Sequence, residues 1–210
     1  MQLALLEISN FRGVKIGRIS FDRHAVLVGP NNSGKTTVIE ALVLLFGRDR
    51  LVRSLTEHDF FGGNPKPQDR IKLVATVSGF ENDDYTAYPD WFGESRGIPK
   101  WLDRKGATVH PTQADTSWPL VCQIAFVARF DKDSLEVETA RYFHDDEGAP
   151  DVFEQGSWTA VPASLIREVG LFLVPANRAW DKVISFNSEL FRQRIGKGPI
   201  SCCERRLAMA

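Results

Sequence analysis

The sequence predicts an α/β fold organised around a phosphate-binding loop. Three adjacent stretches predict it. Gly29-Pro30-Asn31-Asn32-Ser33-Gly34-Lys35-Thr36-Thr37 fits the pattern G-x-x-x-x-G-K-[ST] without a gap. Ala25-Val26-Leu27-Val28, immediately before it, is a short apolar run of the kind that forms a buried strand. Val38 to Phe46, immediately after it, reads as a helix. Strand, glycine-rich turn and helix are the geometry such a loop requires.

The chemistry of the loop follows from that geometry. Gly29 and Gly34 carry no Cβ, so the backbone can turn tightly and approach a phosphate chain. Pro30, Asn31, Asn32 and Ser33 lie between them, and N–H groups of this stretch can turn inward as an anion nest. The open N–H groups and positive dipole end of the following helix favour negative charge. Lys35 is placed to act as a point charge on β- and γ-phosphates. The Thr36 hydroxyl is placed to ligate Mg²⁺, with Thr37 next to it in the first helical turn. The loop thus predicts binding of a nucleoside triphosphate with Mg²⁺, not its hydrolysis.

The rest of the composition narrows the setting. With 210 residues the chain has room for one large domain or a domain and a half. An apolar fraction of 43% is enough for a packed core. A net charge of −1 gives no global pull toward nucleic acid, although 26 Lys and Arg can still cluster locally. No apolar run reaches the ~18 residues of a membrane span. The Met1–Glu7 stretch is not a secretory leader. Cys122, Cys202 and Cys203 make neither a disulfide framework nor a zinc spacing, so a reducing cytoplasm is expected.

The elements read in order as follows. Residues 3–8 form a strand, Asn10-Phe11-Arg12-Gly13 a turn, and residues 15–21 a half-exposed strand. With Ala25 to Val28 these are expected to make an N-terminal β-meander leading into the loop. The helix 38–46 is apolar nearly all round and is expected to be buried on most sides, with Gly47 as its C-terminal cap. Arg48 and Arg50 suit the negative end of its dipole, and Glu40 reads as a rim residue paired with one of them. Residues 51–69 form a loop, and 70–80 a strand with alternating Ile71, Leu73, Ala75 and Val77.

Residues 81–118 are irregular, with Pro89, Pro99 and Pro111 among several glycines, and read as an insertion. Trp91, Trp101 and Trp118, with Arg96, Lys100, Arg104 and Lys105, allow a nucleic-acid reading. The plainer reading has the tryptophans pinning the insertion onto the sheet. Residues 120–130 and 134–143 form a hairpin turning at Asp131-Lys132-Asp133. His144 to Gly148 is an acidic turn, read as a solvated loop rather than a metal site. A helical turn is expected at 165–168, a buried strand at 170–174 stopped by Pro175, and a helix from about 181 or 185 to 194. Asn177-Arg178 would lie at the carboxyl edge of the sheet, with Arg178 either a phosphate contact or a surface arginine. Residues 196–210 are an unpatterned tail.

A triphosphatase usually adds an apolar strand ending in Asp, whose carboxylate holds Mg²⁺. Phe126 to Asp131 comes nearest, but Arg129 interrupts it and the site reads as a hairpin turn. Leu171 to Val174 is followed by proline instead of a carboxylate. The cradle is therefore present without a convincing catalytic half, and the catalytic residues are unassigned.

At this point the residues carry a resemblance. Asn10-Phe11-Arg12 between two strands, then Val28 to Thr37 and Ile39-Glu40-Ala41, resemble the ABC/RecF/SMC type of ATPase head. The Pro-Asn-Asn loop, Leu55-Thr56-Glu57-His58-Asp59-Phe60-Phe61 and Phe172-Leu173-Val174-Pro175-Ala176-Asn177-Arg178 are similar to the ATPase half of OLD-family ATP-dependent nucleases. The resemblance implies a P-loop NTPase head over residues 1–195, with a mixed sheet and a buried loop helix. It implies ATP and Mg²⁺ as ligands, Arg12 approaching the nucleotide, a homodimer around ATP, and DNA cleaved by a separate Toprim domain. Neither that domain's acidic core nor the head's later motifs are visible, so the chain is expected to be the amino-terminal part of such a protein, with the tail marking an early stop or shifted frame. The alternatives are a RecF- or SMC-like DNA-repair ATPase without nuclease activity, and a non-catalytic nucleotide-binding module.

Overall fold

A computed structural model describes residues 1–47, 55–81, 84–105, 107–145, 151–154, 158–171 and 173. Met1–Leu171 form one compact unit; of Phe172–Ala210 only Leu173 is described, and it is exposed.

The strands are β1 (Gln2–Phe11), β2 (Val14–Ser20), β3 (Ile71–Ser78), β4 (Lys100–Asp103), β5 (Thr108–His110), β6 (Leu120–Asp131) and β7 (Glu136–Phe143). Their order is β2-β1-β3-β6-β4-β5, with β7 also paired to β6. The helices are α1 (Lys35–Phe46), α2 (Pro89–Phe92) and α3 (Ala163–Val169). The turn predicted at 165–168 is thus α3.

Register explains which residues meet. Leu6, Ala75, Ile124 and Phe143 form one row across β1, β3, β6 and β7. Ile8, Leu73, Phe126 and Arg141 form the next. Paired residues share a sheet face. The apolar members of both rows belong to one core with Val38, Ala41, Leu44 and Leu45 of α1. α1 therefore lies on this face of the sheet. β3 and β6 are central, and Val74, Ala125 and Val127 on their other face are buried as well. The simple alternation expected for β3 gives way to burial on both sides, because a strand with neighbours on both edges and cover on both faces exposes little.

Four expectations need correction. The run Ala25 to Val28 forms no strand, and Val26 and Val28 are 84% and 88% exposed. A buried strand needs partners on its edges, and no described strand pairs with this run. The N-terminal meander reduces to the β1–β2 hairpin, whose other neighbour is β3. The sheet was expected to be mixed; every described pairing is antiparallel. Finally, α1 keeps an open edge near its start. Thr37, Val38, Ala41, Leu44, Leu45 and Phe46 are buried, whereas Ile39 is exposed. The sheet covers one side of the helix, and α3, whose Leu165 and Ile166 join the same core, also touches it.

The β6–β7 hairpin turns as expected after Asp131, whose carboxylate accepts from the Asp133 N–H at 2.9 Å. Leu171 is in coil, so the strand predicted at 170–174 does not form at this described position. Val174 onward, including Asn177, Arg178, the predicted 181–194 helix and the tail, lies outside the described residues. So do Arg48, Arg50 and residues 146–148 of the acidic turn.

The 81–118 segment is an insertion with structure of its own. Trp91 sits in the core at 1% exposure, with the Phe80 ring edge-on at 5.5 Å. Lys100 is buried and donates to Gln123 Oε1 at 2.8 Å and to the His144 carbonyl at 2.6 Å. Both residues fasten the insertion to the sheet, so neither offers a surface to nucleic acid. Trp118 stacks on His110 at 4.7 Å, holding the end of β5 to the strand that follows.

Candidate functional site

The site is assembled where the loop 29–34 runs into α1. Gly34 is the residue that permits it: φ is +88°, a left-handed conformation at the N-cap of the helix. Asn32 is also left-handed, at φ +66°, which asparagine tolerates better than most residues. Gly29 is required for a different reason. A Cβ built there would lie 2.7 Å from Ser33 Oγ, so a side chain would fill the space the loop encloses. No side chain caps α1, and Val38 N–H bonds back to the Gly34 carbonyl at 3.1 Å. The N–H groups of Lys35, Thr36 and Thr37 precede the first intrahelical bond and face the loop end of the helix.

The side chains converge on the same place. Lys35 Nζ donates to the Gly29 carbonyl at 2.8 Å, to the Pro30 carbonyl at 2.6 Å and to Ser33 Oγ at 3.3 Å. The ammonium thus lies across the loop. Thr36 is exposed and Thr37 is buried beneath the first turn. Asn31 and Asn32 are exposed at the loop's crest.

Arg12 reaches this region from the β1–β2 turn. Val14, two residues on, lies 3.6 Å from the position of a Cβ on Gly34, so the turn abuts the loop–helix junction. Arg12 itself is left-handed, at φ +50°. Its Nε donates to Asp59 Oδ1 at 2.8 Å, and its Nη1 pairs with Glu40 on α1. Glu40 therefore does pair with an arginine, Arg12, which comes from across the fold. Burial works against the charge of Arg12, but the hydrogen bonds from Glu40 and then Asp59 outweigh it, and the guanidinium pKa is raised.

The far end of α1 is held by a residue the sequence reading passed over. Arg141 Nη2, on β7, donates to the Leu44 carbonyl at 2.7 Å and the Gly47 carbonyl at 3.3 Å. This cation supplies the favourable charge at the C-terminal dipole end, the role expected of Arg48 and Arg50. Gly47 ends the helix in an extended conformation, its N–H bonded to Val43 O, so its left-handed freedom is not used. A signal for Arg141 existed only in register, since it falls in the Ile8–Leu73–Phe126 row facing α1.

The sequence profile of the AAA ATPase domain matches residues 1–141, about two thirds of the chain, and spans both the loop and the β1–β2 turn. The chain belongs to this family. Membership of the AAA ATPase domain family carries nucleotide binding, with ATP and usually Mg²⁺ as the ligands. A solved structure from work on the ATP-driven dimerization and DNA-stimulated activation of SMC ATPases is similar over 98% of this chain and 95% of its own. The identity is 15% and the TM-score 0.42. No curated protein matches the chain.

The residues of this AAA ATPase domain fit a triphosphate. The cradle at Gly29 is one a Cβ would fill, the helix end is uncapped, and one ammonium lies over the loop. Among the described residues no cluster of three His, Cys, Asp or Glu could hold a metal alone. Thr36 would ligate Mg²⁺ only jointly with phosphate oxygens, which is how this ion is usually bound. No helix among the described residues is long and apolar enough to cross a membrane.

Proposed function

We propose that the chain binds ATP with Mg²⁺ through Gly29, Pro30, Asn31, Asn32, Ser33, Gly34, Lys35, Thr36 and Thr37, with Arg12 at the edge of the site. The observation that carries this reading is the left-handed Gly34 opening an uncapped α1 directly beneath Lys35. The loop N–H groups and the helix end would receive phosphate oxygens, Lys35 would exchange loop carbonyls for phosphate, and Thr36 would complete the Mg²⁺ shell. The bound ion neutralises phosphate charge; the chain's own residues position the triphosphate.

By the resemblance of residues 1–195, this site belongs to an ATPase head of an OLD-like ATP-dependent DNA endonuclease that dimerises around ATP. One observation favours binding without turnover by the described residues. Asp131, the nearest candidate for the Mg²⁺-holding carboxylate, is the half-buried last residue of β6, at the hairpin turn, fixed by Asp133 and held below the usual carboxylate range by that backbone hydrogen bond. ATP turnover with and without duplex DNA tests the enzymatic part. Basal turnover at or near zero, unchanged by DNA, fits binding alone, whereas DNA-stimulated turnover by this chain would overturn it. Removing Mg²⁺ should weaken ATP binding to the wild type and have little further effect on Thr36→Ala; equal weakening in both would exclude Thr36 as a ligand.

A further inference from the structure

The turn that carries Arg12 is braced from a distant part of the sequence. Asp59 lies in a one-turn 3-10 helix, Glu57–Asp59, whose capping box joins it to Thr56. Both oxygens of its carboxylate are committed. Oδ1 accepts from Arg12 Nε at 2.8 Å, and Oδ2 accepts from the Thr56 N–H at 2.9 Å. The backbone is tied as well. Arg12 N–H donates to the Asp59 carbonyl at 2.7 Å, and Phe61 N–H donates to the Asn10 carbonyl at 3.0 Å. Phe11 and Phe60 form an isolated antiparallel bridge, and both are buried.

This bracing holds a strained geometry. Asn10 and Arg12 are both left-handed, at φ +55° and +50°. Such a conformation costs a residue with a side chain free energy that the surroundings must supply. A two-residue hairpin turn needs positive φ, yet glycine or asparagine would meet that need at lower cost than Arg12. Asp59 and Glu40 also leave the guanidinium partly open. Among the described residues Nε and one Nη1 hydrogen are used, which leaves Nη2 for a further acceptor. Arginine is 40% exposed there while Asp59 is 12% exposed, so the carboxylate forms the floor and the cation the face toward solvent.

We infer that the Thr56–Asp59 turn is a positioning element and Asp59 a positioning residue. Asp59 fixes the Arg12 guanidinium beside the loop–helix junction so that its outward N–H groups meet the phosphate oxygens of a bound nucleotide. This rests on the reading that the loop binds ATP. Asp59 touches no ligand and acts through Arg12; Glu40 restrains the same group from the helix side.

A double-mutant cycle on the whole chain tests it, using a fluorescent ATP analogue with Mg²⁺ and a thermal melt of each variant. Asp59→Asn keeps one oxygen and cannot serve both donors. It should weaken binding about fivefold or more with Arg12 present and leave binding unchanged in the Arg12→Ala background. Asp59→Glu should recover part of the loss. An equal loss in both backgrounds, or affinity that follows only the melting temperature, would make Asp59 merely structural and overturn the proposal. A Lys35→Ala arm separates the two readings. If Lys35→Ala abolishes binding while Asp59→Asn does not alter it, the positioning role alone fails. If the wild type binds no better than Lys35→Ala, the loop reading fails and takes the positioning role with it.

Discussion

Replacing Gly34 by alanine probes the loop at the point where backbone and ligand demands coincide. The residue has φ +88° and ψ 3°, outside the left-handed region that residues with a Cβ visit most readily. The conformational cost for alanine is about 1–2 kcal/mol. Packing adds little, because the nearest atom to the new Cβ would be Val14 Cγ2 at 3.6 Å, an ordinary contact. Equilibrium urea unfolding should therefore show a midpoint lower by roughly 0.5–1 M at an ordinary slope for a domain this size. ATP affinity should fall too, since relief of the strain must rotate N–H groups away from the cradle. Gly29→Ala serves as the contrast. Its Cβ would meet Ser33 alone, with Oγ at 2.7 Å, which can rotate away, and Cβ at 3.3 Å, a tight contact that a small shift relieves. Stability should change little, while the space for phosphate is lost, and adding Ser33→Ala should restore part of the affinity. Gly34→Ala with unchanged stability and unchanged affinity would refute this account of the loop.

Other substitutions test the fold around the site. Trp91→Ala should cost about 3–5 kcal/mol in urea unfolding, as expected for a large side chain removed from a packed core; a loss below about 1 kcal/mol would mean the ring is not core. Cys122 is fully buried and burial pushes its thiol pKa far up, so in a Cys202→Ser/Cys203→Ser variant the remaining thiol should resist Ellman's reagent at pH 8 until the protein unfolds. Asp145 is a pH-sensitive group, its pKa raised by burial despite the hydrogen bond from Ile98 N–H and the nearby charge of Lys100. The folded form binds the proton more tightly than the unfolded chain. Asp145 therefore destabilises above its raised pKa, and the cost fades as pH falls toward the unfolded value. Asp145→Asn should be more stable than wild type at pH 7, with the difference shrinking toward pH 4; a difference independent of pH would exclude the linkage.

Much of this architecture was legible because it is local. The loop, the start of α1 and the β6–β7 hairpin are each fixed within a dozen or so neighbouring residues by glycine placement, apolar period and turn chemistry. What escaped depends on separation along the chain. Glu40 and Asp59 find Arg12 from 28 and 47 residues away, and Arg141 finds the end of α1 from 97. No spacing rule reaches that far. Ala25 to Val28 misled for a related reason: composition marks a run fit for burial, but burial is conferred by partner strands. The tryptophans of 81–118 illustrate the converse. Composition allowed base stacking as well as the plainer reading of pinning, and the position of Trp91 in the core and of Lys100 against Gln123 decides for pinning there.

The central claim is that Lys35 and the loop around it hold a triphosphate. Its most direct test is the affinity of the wild type and of Lys35→Ala for Mg²⁺·ATP, measured by calorimetry with both proteins shown to be equally folded. Loss of charged hydrogen bonds of about 1.5–3 kcal/mol corresponds to a drop of roughly 10- to 100-fold. The account predicts a fall in that range. A folded Lys35→Ala that binds ATP as tightly as the wild type would contradict it.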